Sequence, residues 1–142
     1  MPDTAQKYFD AKPESVRQAR EFATDTLTSW GLVGPLEDVR LCVSELASNA
    51  LVHGTRLDHG FLVRLSTDED DEDFVRLEVH DSRNPDDQAH RPTVCHASST
   101  DTAGRGLHIV ELLADCWGVE EREPYGKVVW SRFKAVPEIR SV

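Results

Sequence analysis

The order in which two periodicities replace one another along the chain constrains its fold more than any single residue does. Over residues 14–30, Val16, Ala19, Ala23, Leu27 and Trp30 recur at helical spacing, which predicts an amphipathic helix. Gly31 offers a stop, and Gly34-Pro35 restarts the chain with proline early in the next helix. That second helix is expected over residues 36–52, with Val39, Val43, Leu46 and Ala50 inward and Gly54 just beyond its end. The period then changes to two. Phe61, Val63 and Leu65 share one face of a strand, and in the next Val75, Leu77 and Val79 alternate with Phe74, Arg76, Glu78 and His80. A third helix is expected over 105–116, then strands over 117–121 and 127–133, while Tyr8 and Phe9 can anchor a first edge strand. This order predicts an α/β two-layer sandwich, with three helices packed on one face of a mixed, mostly antiparallel sheet.

Composition narrows the function. A chain of 142 residues fits one domain, 1–142, that buries about 68% of its unfolded surface. The net charge of −10, from 26 acidic and 16 basic residues, opposes direct nucleic-acid binding and a membrane surface. It does not oppose a nucleotide held by backbone N–H groups, one arginine and a metal ion. Residues 68–73 are six consecutive carboxylates and read as a solvated hairpin tip. Cys42, Cys95 and Cys116 lack CxxC spacing, so neither a disulfide framework nor a zinc site is expected. Cys42 and Cys116 fall in helical patterns and read as small buried apolar groups. With no apolar run near twenty residues and no apolar leader, the expected location is cytoplasmic.

Three separated segments carry chemistry. In Glu45-Leu46-Ala47-Ser48-Asn49-Ala50-Leu51-Val52-His53-Gly54, the residues Glu45, Asn49 and His53 stand at i, i+4 and i+8, along one face of the second helix. Asparagine is a mediocre mid-helix residue. Its amide oxygen suits Mg²⁺ bridging phosphates, and a carboxylate one turn back can orient or deprotonate an attacking hydroxyl. The same spacing also describes an ordinary polar face, and His53 reads better as a helix-end residue than as a ligand. Asp81 closes a strand, where it can accept from an exocyclic amine, although Asp81-Ser82-Arg83-Asn84 is equally good turn chemistry. Gly104-Arg105-Gly106-Leu107 opens a helix whose N–H groups can receive phosphate, with Arg105 adding charge-assisted bonds. A plain helix entry would look alike. Before it, residues 81–103 form a connection of 23 residues with little periodicity, which favours a functional loop or lid. No Walker or Rossmann signature is present, and no G-x-S-x-G elbow or paired zinc histidines occur.

Taken in order, these segments resemble the ATP-binding (Bergerat, GHKL) domain shared by gyrase, Hsp90, histidine kinases and MutL. More narrowly, the chain resembles the stand-alone anti-sigma-factor serine/threonine kinases and their actinobacterial histidine-kinase-like relatives. The likeness runs from Val16-Arg17-Gln18-Ala19-Arg20 through Ser44-Glu45-Leu46-Ala47-Ser48-Asn49-Ala50 and Gly104-Arg105-Gly106-Leu107-His108-Ile109-Val110-Glu111. It continues over Leu113-Ala114-Asp115-Cys116-Trp117-Gly118-Val119 and ends at Gly126-Lys127-Val128-Val129-Trp130. The resemblance implies that Glu45 is the catalytic base, that Asn49 binds Mg²⁺ and that Asp81 holds adenine. It also implies that Gly104, Arg105, Gly106 and Leu107 end an ATP lid, residues 82–105, over the phosphates. The implied reaction is transfer of the ATP γ-phosphate to Ser/Thr of an anti-anti-sigma (STAS-type) protein. A sigma factor is a second implied partner, and a homodimer is a further implication. A noncatalytic regulator-binding module on the same fold is the alternative. The common Asp-x-Gly-x-Gly stands here as Asp81-Ser82-Arg83-Asn84-Pro85, in which Pro85 stiffens the turn.

Overall fold

Each change of period becomes a change of element. The computed structural model describes residues 3–51, 60–67, 74–81, 106–121 and 126–134. The elements are β1 (Thr4–Phe9), α1 (Glu14–Ser29), α2 (Leu36–Asn49), β2 (Phe61–Thr67), β3 (Phe74–Asp81), α3 (Gly106–Leu113), β4 (Cys116–Glu121) and β5 (Lys127–Lys134).

The first helix buries Ser15, Ala19, Ala23 and Leu27, a stripe of strict fourth residues. Ser15 is tolerated in that stripe because its Oγ donates to the Asp10 carbonyl at 2.7 Å. Its end is a Schellman closure at Gly31, where φ is +77°. There the Leu32 N–H reaches the Leu27 carbonyl at 2.9 Å and the Gly31 N–H reaches Thr28 at 3.0 Å. The second helix buries Val39, Cys42, Val43, Leu46 and Ala47. It is α-helical only to Asn49; Ala50 and Leu51 follow in π-type winding, a departure that often accompanies functional sites. His53 and the rest of the expected helix end lie outside the described residues.

The strands form one sheet in the order β1-β2-β3-β5-β4, antiparallel at every described pairing. Of the expected mixed, mostly antiparallel arrangement, the antiparallel part is what these strands display. Alternation sends Phe61, Val63 and Leu65 of β2, and Val75, Leu77 and Val79 of β3, into the core. The helices cover that face: α1 lies on β1 and β2, α2 on β3, and α3 on β4. Among the described residues no helix is long and apolar enough to cross a membrane.

Two expectations change. The third helix stops at Leu113, and Cys116 opens β4 instead of closing a helix. The reason is the sheet: the Asp115 N–H donates to the Arg132 carbonyl at 2.7 Å, and Cys116 pairs with Arg132 in register. Backbone pairing here outweighs the apolar spacing that continued the helical pattern. Cys116 is buried, as expected, but it is disulfide-bonded, whereas Cys42 is a free thiol. Cysteine spacing gave no sign of that bond, because a disulfide needs nearness in space and not a fixed separation along the chain.

Candidate functional site

Direction decides whether the three segments meet. A shallow pocket of about 240 Å³ is lined by Pro35 and Asp38 at the start of α2, by Leu113, Ala114 and Asp115 after α3, and by Phe133 and Lys134 at the end of β5. Lys134 pairs with Phe74, the first residue of β3. So the start of α2, the start of β3 and the end of α3 share one end of the molecule. The end of α2, the end of β3 and the start of α3 therefore share the other. At 1.5 Å per residue, the eleven-residue path from Asp38 to Asn49 separates the two ends by roughly 16 Å. The pocket is remote from the candidate chemistry.

The second end gathers Glu45 and Asn49 from α2, Asp81 from β3, and Gly106 with Leu107 from the first turn of α3. Glu45 and Asn49 are half-buried, one turn apart. Asn49 is the last α-helical residue before the π-type winding. Asp81 is only 4% exposed. Period two puts its side chain on the same face as Val75, Leu77 and Val79, so a carboxylate stands where the pattern calls for a core residue. That is the site's clearest anomaly, since an ionisable group at such a depth is retained only with partners. The start of α3 presents N–H groups that lack intrahelical acceptors. Gly104, Arg105 and the expected lid over 82–105 lie outside the described residues.

The electrostatics around Glu45 extend inward. The buried Cys42 thiol, one turn back on α2, is pushed up to about 12 by desolvation first and by the Asp38 and Glu45 carboxylates next. It is an inert packing group, not a nucleophile. On the other side of Glu45, Ser44 accepts a hydrogen bond from Arg20 Nη1 of α1 at 3.3 Å. Local spacing gives neither residue a role, because a bond that joins α1 to α2 across 24 positions leaves no periodic signal in either helix.

An amide oxygen and a nearby carboxylate suit a hard cation held chiefly by phosphate oxygens. Among the described residues there is no group of three or more His, Cys, Asp or Glu side chains that could hold a metal by itself. An amide oxygen with one carboxylate a turn away would fit Mg²⁺ that arrives with a nucleotide.

Comparison with known proteins bears on the family and the fold. Residues 9–133 match the histidine kinase-like ATPase domain family. Among solved structures, the chain is similar to the RsbU and RsbW domains of Rv1364c from Mycobacterium tuberculosis, with a TM-score of 0.72 at 18% identity. The match covers 99% of this chain and 34% of that one, so the chain spans about a third of that structure's length. No curated protein matches. With 125 of 142 positions inside the family match and the Bergerat arrangement of sheet and helices in place, the chain belongs to the histidine kinase-like (GHKL) ATPase domain family.

Proposed function

We propose that the chain is an ATP-dependent protein serine/threonine kinase that phosphorylates a STAS-type anti-anti-sigma protein and so regulates a sigma factor. The observation that carries this reading is the convergence of Glu45, Asn49, Asp81 and the start of α3 at one end of the fold. ATP follows from the ATPase family; the protein acceptor and the sigma factor follow from the motif resemblance and from the likeness to a structure that contains an RsbW domain.

Each residue then has a task. Asp81 accepts from the adenine amine and fixes the base at the floor of the site. Asn49 turns its amide oxygen toward the phosphates, where it would hold Mg²⁺. The metal's chemistry, when bound, is to offset charge on the phosphate oxygens. Gly106 and Leu107 place N–H groups of the first α3 turn near those oxygens, and Arg105 adds a charged donor. Glu45 accepts the proton from the acceptor hydroxyl as its oxygen bonds to the γ-phosphorus. The bond between that phosphorus and the bridging oxygen of ADP breaks, and the electron pair leaves with ADP. In the second reading the chain holds a regulator without phosphoryl transfer, and Ser82-Arg83-Asn84-Pro85 in place of the glycine-containing turn favours it.

Two measurements separate the readings. Calorimetric titration with ATP should saturate in excess Mg²⁺ and weaken markedly in EDTA. Glu45→Gln should keep the affinity for ATP within about twofold and slow transfer to a STAS-type acceptor by roughly a hundredfold or more. Silence up to millimolar ATP in both buffers would leave the binding module. Unchanged transfer in Glu45→Gln would remove Glu45 as the base.

A further inference from the structure

The strand register puts a second charged group beside the aspartate of the site. Asp81, the last residue of β3, pairs directly with Lys127, the first residue of β5. Lys127 pairs in turn with Glu121, the last residue of β4. The row Asp81–Lys127–Glu121 runs across the end of the sheet where α2 ends and α3 begins. Directly opposed residues of an antiparallel pair project on one face with Cβ atoms roughly 4.5–5.5 Å apart. Asp81 belongs to the helix-covered face, and therefore so does Lys127. Its neighbours in the strand confirm the phase: Val129, Ser131 and Phe133, two, four and six residues on, are all buried.

Position decides what such a lysine can do. Asp81 is almost fully buried, Lys127 half-buried and Glu121 exposed. Lys127 thus stands in register between a buried carboxylate and an exposed one. Its stem is longer than that of aspartate and is rooted at the same level of the sheet. A carboxylate only accepts hydrogen bonds and an ammonium only donates them. Side by side they match a flat ligand edge that offers a donor next to an acceptor.

We propose that Lys127 is a specificity-determining residue of the base subsite, donating to the ring nitrogen of adenine that neighbours the amine held by Asp81. This rests on the nucleotide reading above. Adenine carries an amine at position 6 and an acceptor nitrogen at position 1, in the order the pair requires. Guanine reverses both, with a carbonyl at position 6 and an N–H at position 1. It would meet the carboxylate with an acceptor and the ammonium with a donor, so two mismatches exclude it together. A neutral residue at 127 would leave only one.

The test uses the full chain, ATP, and 1-deaza-ATP, which keeps the amine but has carbon in place of that ring nitrogen. Binding is measured calorimetrically for the wild type, Lys127→Met and Lys127→Arg. The wild type should bind 1-deaza-ATP about tenfold or more weakly than ATP, the scale of one hydrogen bond to a charged group. Lys127→Met should bind the two alike, and Lys127→Arg should restore much of the difference. A circular dichroism melt of each variant separates altered recognition from altered folding. If the wild type binds both nucleotides equally, or if Lys127→Met discriminates as the wild type does, Lys127 has no part in reading the base, whatever the affinity for ATP. If neither nucleotide binds, the nucleotide reading fails and this assignment falls with it.

Discussion

The two faces of the sheet use the same strands for opposite purposes. On the helix-covered face, Leu65 of β2, Val75 and Leu77 of β3, and Phe133 of β5 are shut from water, and the charged residues Asp81 and Lys127 stand at one end. On the other face, β3 presents Phe74, Arg76, Glu78 and His80, and β5 presents Trp130 and Arg132. Arg76 and Arg132 oppose each other directly in register, an unfavourable pairing of like charges. Each turns to the ring diagonal to it: the Arg76 guanidinium lies 4.7 Å from the Trp130 centroid, and that of Arg132 lies 4.0 Å from Phe74. Glu78 accepts from Arg76 Nε at 2.7 Å and bonds His80 Nε2 at 2.8 Å. The difference teaches where to look for a site. Charge on the outer face sits where the alternation calls for polar residues, whereas Asp81 is a carboxylate at a position where the alternation calls for a core residue.

Three substitutions would break or sharpen that contrast. The largest effect belongs to the covered face: Leu77→Ala, at a position with no exposure, should cost about 2–5 kcal/mol in denaturant unfolding. A loss under 1 kcal/mol would mean that the layer beneath α2 is not close-packed. Next comes Glu78, whose carboxyl is lowered to about 2 by the His80 hydrogen bond first and by Arg76 thereafter, against the opposing effect of burial. A lowered native value makes its contribution full above the unfolded value near 4.5 and has it fade as pH falls through about 2. The wild type should therefore lose up to about 3 kcal/mol over that window, and Glu78→Gln should have a flatter acid limb. Identical acid limbs would show that the outer network does not couple to folding. The smallest effect is expected for Arg40→Ala, because the Arg40–Glu37 contact is 3.4 Å long and both side chains are well exposed. A change within about 0.5 kcal/mol is expected, and little salt dependence with it.

Much of this contrast is legible in the sequence. Period-two alternation in 61–65 and 74–80 fixed which residues face inward, and the structure keeps every one of those assignments. Gly31 as the stop of α1 followed from backbone sterics alone, since a φ of +77° is open to glycine and costly to most others. What stayed hidden depends on which strands become neighbours. The pairing of β3 with β5 brings residues 81 and 127 together across 46 positions, and no local pattern encodes it. The end of α3 was misplaced for a related reason: apolar spacing in 113–116 suits a helix and a strand entry alike, and the partner strand settled the choice. Glu45 and Asn49 were readable because helical spacing is local. Arg20 and Ser44 were not, because their contact joins two helices.

The backbone at position 60 carries a consequence for the whole sheet. A methyl group there would overlap the Phe9 carbonyl oxygen and stand 2.9 Å from the Asp10 Cα, both backbone atoms of the chain that leaves β1. Phe9 is also the residue that stacks on Phe61 and pairs with it. Any side chain at 60 would therefore push on the last rung of β1. Loss of that strand would bare the row of donors and acceptors along β2, and a bare strand is a template for a foreign one. One missing carbon thus separates a closed sheet edge from a seed for chain-to-chain assembly.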